Sequence, residues 1–205
     1  MSLATVGIVD YGMGNRRSVE KALEHVGSRA TITHDHETLR GADGVILPGV
    51  GAFPEAMRHV EARGLGAVLR GLEAPLLGVC LGMQLLFERS SEHEGAAGLG
   101  ILPGEVTPLR GPKLPHIGWN LVTFERESAL TAGLGEAAAF YHVHSFACRP
   151  SEPGDVVGRG DYGEPFASIV ERGSVYGAQF HPEKSSRDGL ALLANFARVC
   201  ASVAA

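Results

Sequence analysis

The 205-residue chain is poor in cysteine and aromatics and has no long hydrophobic run. Its three cysteines, Cys80, Cys148 and Cys200, form an odd, widely spaced set. That argues against a disulfide framework and fits a reducing compartment, the cytoplasm. Aromatics make up only 6%, and the 18 Lys and Arg are scattered, so no nucleic-acid surface is expected. The net charge of −5 reads as a matter of solubility. The most apolar stretch without a charge, Ala74 to Phe87, has 14 residues, too few to span a bilayer and suited to a buried core. The first residues lack a basic segment followed by an apolar one, so no signal peptide is expected. No stretch reads as a linker and no fixed period repeats. Residues 1–205 are therefore read as a single domain.

What the chain does have is glycine, 28 residues of it, much of it beside apolar runs. Tight strand–helix turns need such residues. Val6 to Val9, Ala30 to Thr33, Gly44 to Leu47 and Pro75 to Val79 read as short apolar strands. Between them lie helical segments: one carrying Val19, Ala22, Leu23 and Val26 with Gly27 as its stop, one around Pro54 to Arg63, and one near Leu72. Continuous apolar strands separated by helices imply an α/β fold, a mostly parallel central sheet flanked by helices. In the second half, Trp119 to Phe124, Val156 to Arg159, Ala167 to Val170 and Val175 to Phe180 suggest antiparallel strands added to that sheet. A last helix spans about Ser186 to Val199, with Leu192, Leu193, Phe196 and Val199 as its buried stripe. Ser185 and Asp188 have the spacing of a capping box.

Gly78-Val79-Cys80-Leu81-Gly82 sets a cysteine between a buried strand and a helix. The flanking glycines permit a sharp, strained turn, a nucleophile elbow with sulfur in place of oxygen. Amides at the start of the following helix favour the reactive thiolate, and the Leu81 N–H can donate to an oxyanion. A buried structural cysteine is the alternative reading, and it is the one adopted for Cys148 and Cys200. Late in the chain, His181-Pro182-Glu183 follows an apolar strand. Residues two apart in an extended backbone share a face, so His181 and Glu183 can converge. Histidine can take the thiol proton and return it to a leaving amine, while a carboxylate fixes its tautomer. A surface His beside a solvated Glu is the alternative for that pair alone; together with Cys80 the functional reading is preferred.

Gly78 to Gln84 together with Gln179 to Glu183 resembles the class I (triad) glutamine amidotransferases. More narrowly, Asp10 to Asn15, Leu47 to Phe53, Pro115 to Asn120 and His181 to Ser185 are similar to segments of the glutaminase subunit of imidazole glycerol phosphate synthase. These segments run in family order over nearly the whole chain.

The resemblance implies that Cys80 is the nucleophile, His181 the acid/base and Glu183 its orienter. The oxyanion would be held by the N–H groups of Leu81 and Val50. Gly51, Gln84, Glu92 and the backbone of Ser145 and Phe146 would form the pocket for L-glutamine, with Glu92 taking the substrate's ammonium. It also implies a heterodimer with a (βα)8 cyclase that uses the ammonia in histidine biosynthesis. Asn15, Trp119, Asn120, Tyr141 and Lys184 match family positions near that interface. No cofactor and no metal are implied. The chain departs from the family at Phe146, where tyrosine is frequent, at His142, where an aromatic is common, and at Arg16, where an apolar residue often stands.

Three other readings compete. Gly12-Met13-Gly14 after the first strand, with Asp35 beyond the second, approximates a dinucleotide-binding fingerprint. Arg17 stands, however, where the third glycine is needed for helix–strand packing. His34-Asp35-His36 and His142-Val143-His144 could belong to a metal module, but neither has a third ligand at clear spacing. Within the amidotransferases, the glutaminase subunits of anthranilate or pyridoxal phosphate synthases are rivals, and Gly118-Trp119-Asn120 favours the histidine pathway over them.

Overall fold

The unbroken apolar runs of the first half become strands buried on both faces. A computed structural model of the chain describes residues 3–203. In it β1 (Thr5–Val9), β2 (Arg29–Thr33), β3 (Gly44–Gly49) and β4 (Leu76–Cys80) pair in parallel in the order β2-β1-β3-β4. Every residue of β3 and of β4 is buried. Parallel strands need crossovers, and helices supply them: α1 (Arg16–His25), α2 (His36–Arg40), α3 (Phe53–Ala62) and α4 (Leu65–Arg70). The helix expected near Leu72 thus ends before it. Gly71 and Leu72 form part of the turn into β4, and α2 was not anticipated.

Beyond β4 come α5 (Leu81–Leu85), β5 (Phe87–Ser90), β6 (Ala96–Ala97), β7 (Leu102–Pro108), β8 (His116–Phe124), β9 (Ala137–His144) and β10 (Phe146–Pro150). Then follow β11 (Val156–Asp161), β12 (Pro165–Arg172), β13 (Val175–Ala178) and α6 (Ser186–Val203). The central sheet continues from β4 through parallel β13 and antiparallel β12, β11, β8 and β9, giving nine strands. Of the four segments expected as antiparallel additions, those in β8, β11 and β12 pair so. β13 is antiparallel only to β12 and extends the parallel sheet beside β4. A second sheet, β10-β7-β5-β6, was not read from the sequence. It packs beside the elbow and carries residues of the candidate pocket.

Two apolar layers sandwich the parallel half. On one face Val19, Leu23, Leu192 and Phe196 of α1 and α6 cover Val6, Ile8, Ile46 and Leu77. On the other, Phe53, Met57, Val60 and Leu65 cover Val9, Val45 and Leu47. Each such side chain contributes about 1.5–3 kcal/mol by leaving water. In the expected stripe of α6, Leu192, Leu193 and Phe196 are fully buried, and Val199 packs at the margin.

Two sequence expectations resolve differently at finer scale. Ser185 does not direct its hydroxyl to a capping box with Asp188. That hydroxyl donates to the His181 carbonyl (2.6 Å) and accepts from the Tyr141 N–H (3.0 Å). Asp35, the acid of the approximate dinucleotide fingerprint, instead caps α2, accepting from the Thr38 N–H (2.8 Å) and hydroxyl (2.7 Å).

Candidate active site

Cys80 sits at the junction of β4 and α5 with φ 55° and ψ −114°, a conformation that L-residues rarely adopt. Such strain persists only where the surroundings enforce it, and here close packing does so. A Cβ on Gly82 would lie 1.8 Å from the Leu47 carbonyl oxygen, and one on Gly78 would lie 2.7 Å from the backbone of Gly82 and Met83. Only glycine at both places lets α5 fold back on β3 and β4, and that fold-back holds the sulfur at the strand end. The helix has only five residues. Its influence on the sulfur is therefore that of first-turn N–H groups more than of a long macrodipole.

The sulfur lines a cavity of about 310 Å³ with Val50, Gly51, Gln84, Glu92, Ser145, Phe146 and His181. Cys80 Sγ lies 3.7 Å from the Val143 carbonyl oxygen and 4.0 Å from the Gln179 amide nitrogen. His181 Nδ1 is 3.0 Å from Glu183 Oε1, and both side chains are almost wholly buried. The pair converges as expected, but not by strand alternation. β13 ends at Ala178, and a one-turn 3₁₀ helix at Pro182–Lys184 brings the carboxylate under the imidazole. The His181 N–H donates to the Tyr141 carbonyl (3.0 Å), which ties this turn to β9.

Burial alone would lower the His181 pKa. Hydrogen bonding to Cys80 and Glu183 and the charge of both partners outweigh it and raise the pKa to about 10. The two partners thus favour the protonated ring, so a proton taken from the Cys80 thiol is held there as an imidazolium beside the thiolate. Asn15 Nδ2 also donates to Glu183 Oε1, at 3.1 Å. The other oxygen, Oε2, is among the few buried side-chain polar atoms without a hydrogen-bond partner among the described residues.

The loop after β3 faces the cysteine. Gly49 pairs with Cys80 across the ladder, and a Cβ there would lie 2.7 Å from the Gly82 nitrogen and 2.8 Å from the Tyr11 hydroxyl. That hydroxyl donates to the Pro48 carbonyl (2.9 Å) and anchors the loop that presents Val50. Gln84 reaches back from α5 and donates to the Phe146 carbonyl and to Gln179 Oε1, both at 3.1 Å. Glu92 Oε2 accepts from the Phe53 N–H (2.7 Å), which holds its carboxylate at the cavity rim beside the start of α3.

The sequence-derived pocket residues therefore gather around one sulfur. Of the interface set, Trp119 is exposed and packs edge-on against Tyr141, and Lys184 lines the cavity mouth. Asn120 turns to the opposite face of β8 and donates to the Asp161 carbonyl (2.8 Å). Tyr11 and Gln179 lie within the sequence motifs, but nothing in those motifs implies a role for either. For Gln179 the available signal was a lone polar residue within the apolar run Val175 to Phe180; the folded chain buries it fully just past the end of β13.

Both His-x-His motifs are engaged in hydrogen bonds. His36 Nε2 is 2.9 Å from the Arg63 carbonyl, His142 Nδ1 is 3.0 Å from the Phe140 carbonyl, and His144 Nδ1 is 2.9 Å from that of Phe146. Burial holds the pKa of His142 well down and lowers that of His144 to about 4. Both are thus neutral in the folded state at pH 7, while the unfolded chain takes up protons near pH 6.5. The unfolded state binds more protons between these values, so stability present above pH 6.5 is lost as pH falls toward 4. His144 alone accounts for about 3 kcal/mol by pH 4. The urea midpoint should therefore drop between pH 7 and pH 5, with a shallower slope in His142→Phe. A flat native profile over that range would contradict this account.

The family model for glutamine amidotransferase class-I matches residues 7–200. The chain is 52% identical over 196 residues to the imidazole glycerol phosphate synthase subunit HisH of Bacillus cereus strain G9842, covering 93% of each chain. It is 50% identical over 195 residues to the subunit of the same name from Moorella thermoacetica, again covering 93% of each. Among solved structures, one described as a glutamine amidotransferase superposes with a TM-score of 0.76 at 22% identity, over 96% of this chain and 98% of that one. A structure of PurLQS from Thermotoga maritima superposes at 0.71 and 20%, over 95% and 98%. The structural likeness shows the α/β fold, while the family model and the close relatives show more. The chain belongs to the class-I glutamine amidotransferase family.

Proposed function

We propose that this chain, acting as one amidotransferase domain in the cytoplasm, is the glutaminase subunit of an imidazole glycerol phosphate synthase. It hydrolyses L-glutamine to glutamate and ammonia and passes the ammonia to a (βα)8 cyclase partner in histidine biosynthesis. The observation that carries the reading is the elbow cysteine sharing one cavity with His181, whose imidazole is paired with the buried Glu183 carboxylate behind it.

In this reading the Cys80 thiol gives its proton to His181, and the thiolate attacks the side-chain carbonyl carbon of glutamine. The N–H groups of Leu81 and Val50 receive the oxyanion, each donor contributing about 3 kcal/mol. His181 returns the proton to the leaving nitrogen, the C–N bond breaks, and ammonia departs from a glutamyl thioester. Water then adds to the thioester carbon, giving a proton to His181; the C–S bond breaks, glutamate leaves, and His181 returns that proton to the Cys80 sulfur. Glu183 fixes the imidazole. Glu92 meets the substrate's ammonium, while Gly51, Gln84 and the backbone of Ser145 and Phe146 hold the rest.

A docking face is supported by β8 and its edge neighbour β9. Ile117, Trp119 and Leu121 are 59%, 55% and 61% exposed in alternation along one strand, an apolar ridge unusual for a strand facing water. The ridge lies against Tyr141, whose carbonyl holds the His181 N–H. Lys184 stands nearby at the cavity mouth, and Asn15 and Asn120 support the same region from within. The cytoplasmic assignment is supported by three buried, unpaired thiols.

The isolated subunit should be a poor glutaminase that docking accelerates. The switch lies in Pro48-Gly49-Val50-Gly51, whose glycines let the Val50 N–H turn toward or away from the oxyanion. A loop only about 1% competent would need roughly 5.5 kcal/mol of differential binding to become almost fully competent. Steady-state ammonia release is therefore expected to rise about a hundredfold from the chain alone to the chain with cyclase and its nucleotide ligand. Equal rates for the chain alone, with cyclase, and with liganded cyclase would overturn the switch.

A further inference from the structure

Three of the nine histidines, His116, His142 and His144, are buried together beside the cavity, and the hydrolysis mechanism uses none of them. Their hydrogen bonds determine where each proton sits. The Phe146 carbonyl can only accept, so His144 Nδ1, at 2.9 Å, carries the hydrogen, and Nε2 is left as an acceptor. His116 Nδ1 lies 3.1 Å from that Nε2 and must therefore be the donor. His116 Nε2 is then an acceptor too, and 3.4 Å away stands Asn120 Nδ2, an obligate donor whose other hydrogen goes to the Asp161 carbonyl (2.8 Å). One directional chain results: Asn120 to His116 to His144 to the Phe146 carbonyl. Its two histidines sit in defined orientations, His116 stacked on Tyr162 at 3.9 Å and His144 tilted against Phe166 at 5.0 Å.

The far end of the chain is the Phe146 carbonyl, which also accepts from Gln84 Nε2 at 3.1 Å. The near end is the inner face of β8, behind the exposed ridge of Ile117, Trp119 and Leu121. We propose that His116 and His144 are positioning residues, which tie the Ser145–Phe146 segment of the glutamine pocket to the strand that carries the docking ridge. This rests on the reading of that segment as part of the glutamine site. The chain restrains the pocket backbone through a single carbonyl, and its polarity cannot be reversed. A proton on either acceptor nitrogen would set two N–H groups face to face. His142 stands outside it, its Nε2 2.9 Å from the Ser168 hydroxyl and its Nδ1 bound to the Phe140 carbonyl.

The chain is tested in the assembled enzyme with His144→Leu, His144→Asn and His116→Leu. His144→Leu should raise the glutamine KM at least tenfold, with the larger share of the loss in KM rather than kcat. Synthesis from ammonium salts should be unaffected, since it bypasses the pocket. His144→Asn, whose amide N–H can take the Nδ1 place, should recover most of the lost affinity, and His116→Leu should show an intermediate KM. On the native chain, ¹⁵N spectra of labelled histidine should show His116 and His144 as Nδ1–H tautomers at pH 7, a readout that needs no variant to fold. A KM within twofold of native in His144→Leu, an Asn variant no better than the Leu variant, or Nε2–H tautomers would each overturn the proposal. Should Cys80→Ala retain glutaminase activity, the reading of the site itself fails. A dead Cys80→Ala beside a normal KM in His144→Leu removes only the histidine chain.

Discussion

Cys80→Ala is expected to abolish glutamine-dependent synthesis in the assembled enzyme while leaving synthesis from added ammonium salts intact. The cyclase chemistry consumes ammonia and does not need this sulfur, so the two rates separate the nucleophile from the rest of the complex. Without the sulfur no thioester forms, and the remaining pocket offers only binding and the oxyanion donors. A loss of about 10⁴-fold or more follows when the nucleophile of a coupled constellation is removed. The other two thiols provide the controls. Burial, with the Cys80 charge adding to it, pushes Cys148 well up, and burial, with Asp43 nearby, pushes Cys200 to about 12. Thiols so held are poor nucleophiles, so Cys148→Ala and Cys200→Ala should keep their glutaminase rates. Cys200→Ala should lose a little stability, because its sulfur fills the space over Gly44. Glutaminase activity surviving in Cys80→Ala would sink the nucleophile assignment.

His181→Ala should lose about 10³-fold or more in glutamine turnover, since both proton transfers run through the imidazole. Glu183→Gln should lose less. The carboxylate oxygen Oε1 receives both His181 Nδ1 and Asn15 Nδ2, and a glutamine oxygen at the same place still accepts. What the amide removes is the negative charge that helps raise the His181 pKa. The Glu183→Gln profile should therefore shift its alkaline limb to lower pH, while His181→Ala should have no such limb to shift. Steady-state ammonia release across pH 6 to 10 measures both. Equal losses, or an unmoved limb in Glu183→Gln, would assign the carboxylate a different role.

Much of this site is written in adjacent residues. Gly78 and Gly82 declare the elbow because the backbone of Gly82 and Met83 and the carbonyl of Leu47 leave no room for a Cβ. A steric demand of that kind is local, and a pattern of five residues carries it. The parallel half of the sheet was legible for a similar reason: β3 and β4 are buried throughout, and strands buried on both faces have no polar alternation to disguise them. The second sheet was not legible. β5 is buried only at its two ends, and β6 has two residues, so neither carries a period that could be recognised.

Tertiary structure alone decided the partners of polar groups. The sequence could set His181 near Glu183, but not Asn15 on the same carboxylate oxygen, because α1 and the His181 turn are distant in the chain. Nor could it name the hydrogen-bond partners of His142 and His144. Those include Ser168, the Phe146 carbonyl and His116, which long-range pairing brings to them. Ser185 shows the limit most simply: its spacing to Asp188 fits a helix cap, yet Tyr141 and the His181 carbonyl claim its hydroxyl. The sequence by itself determined the backbone geometry of the nucleophile and the apolar layers that bury it, since both follow from sterics and burial over short spans. Where each buried hydrogen bond goes depends on which strands become neighbours, and only the folded chain settles that.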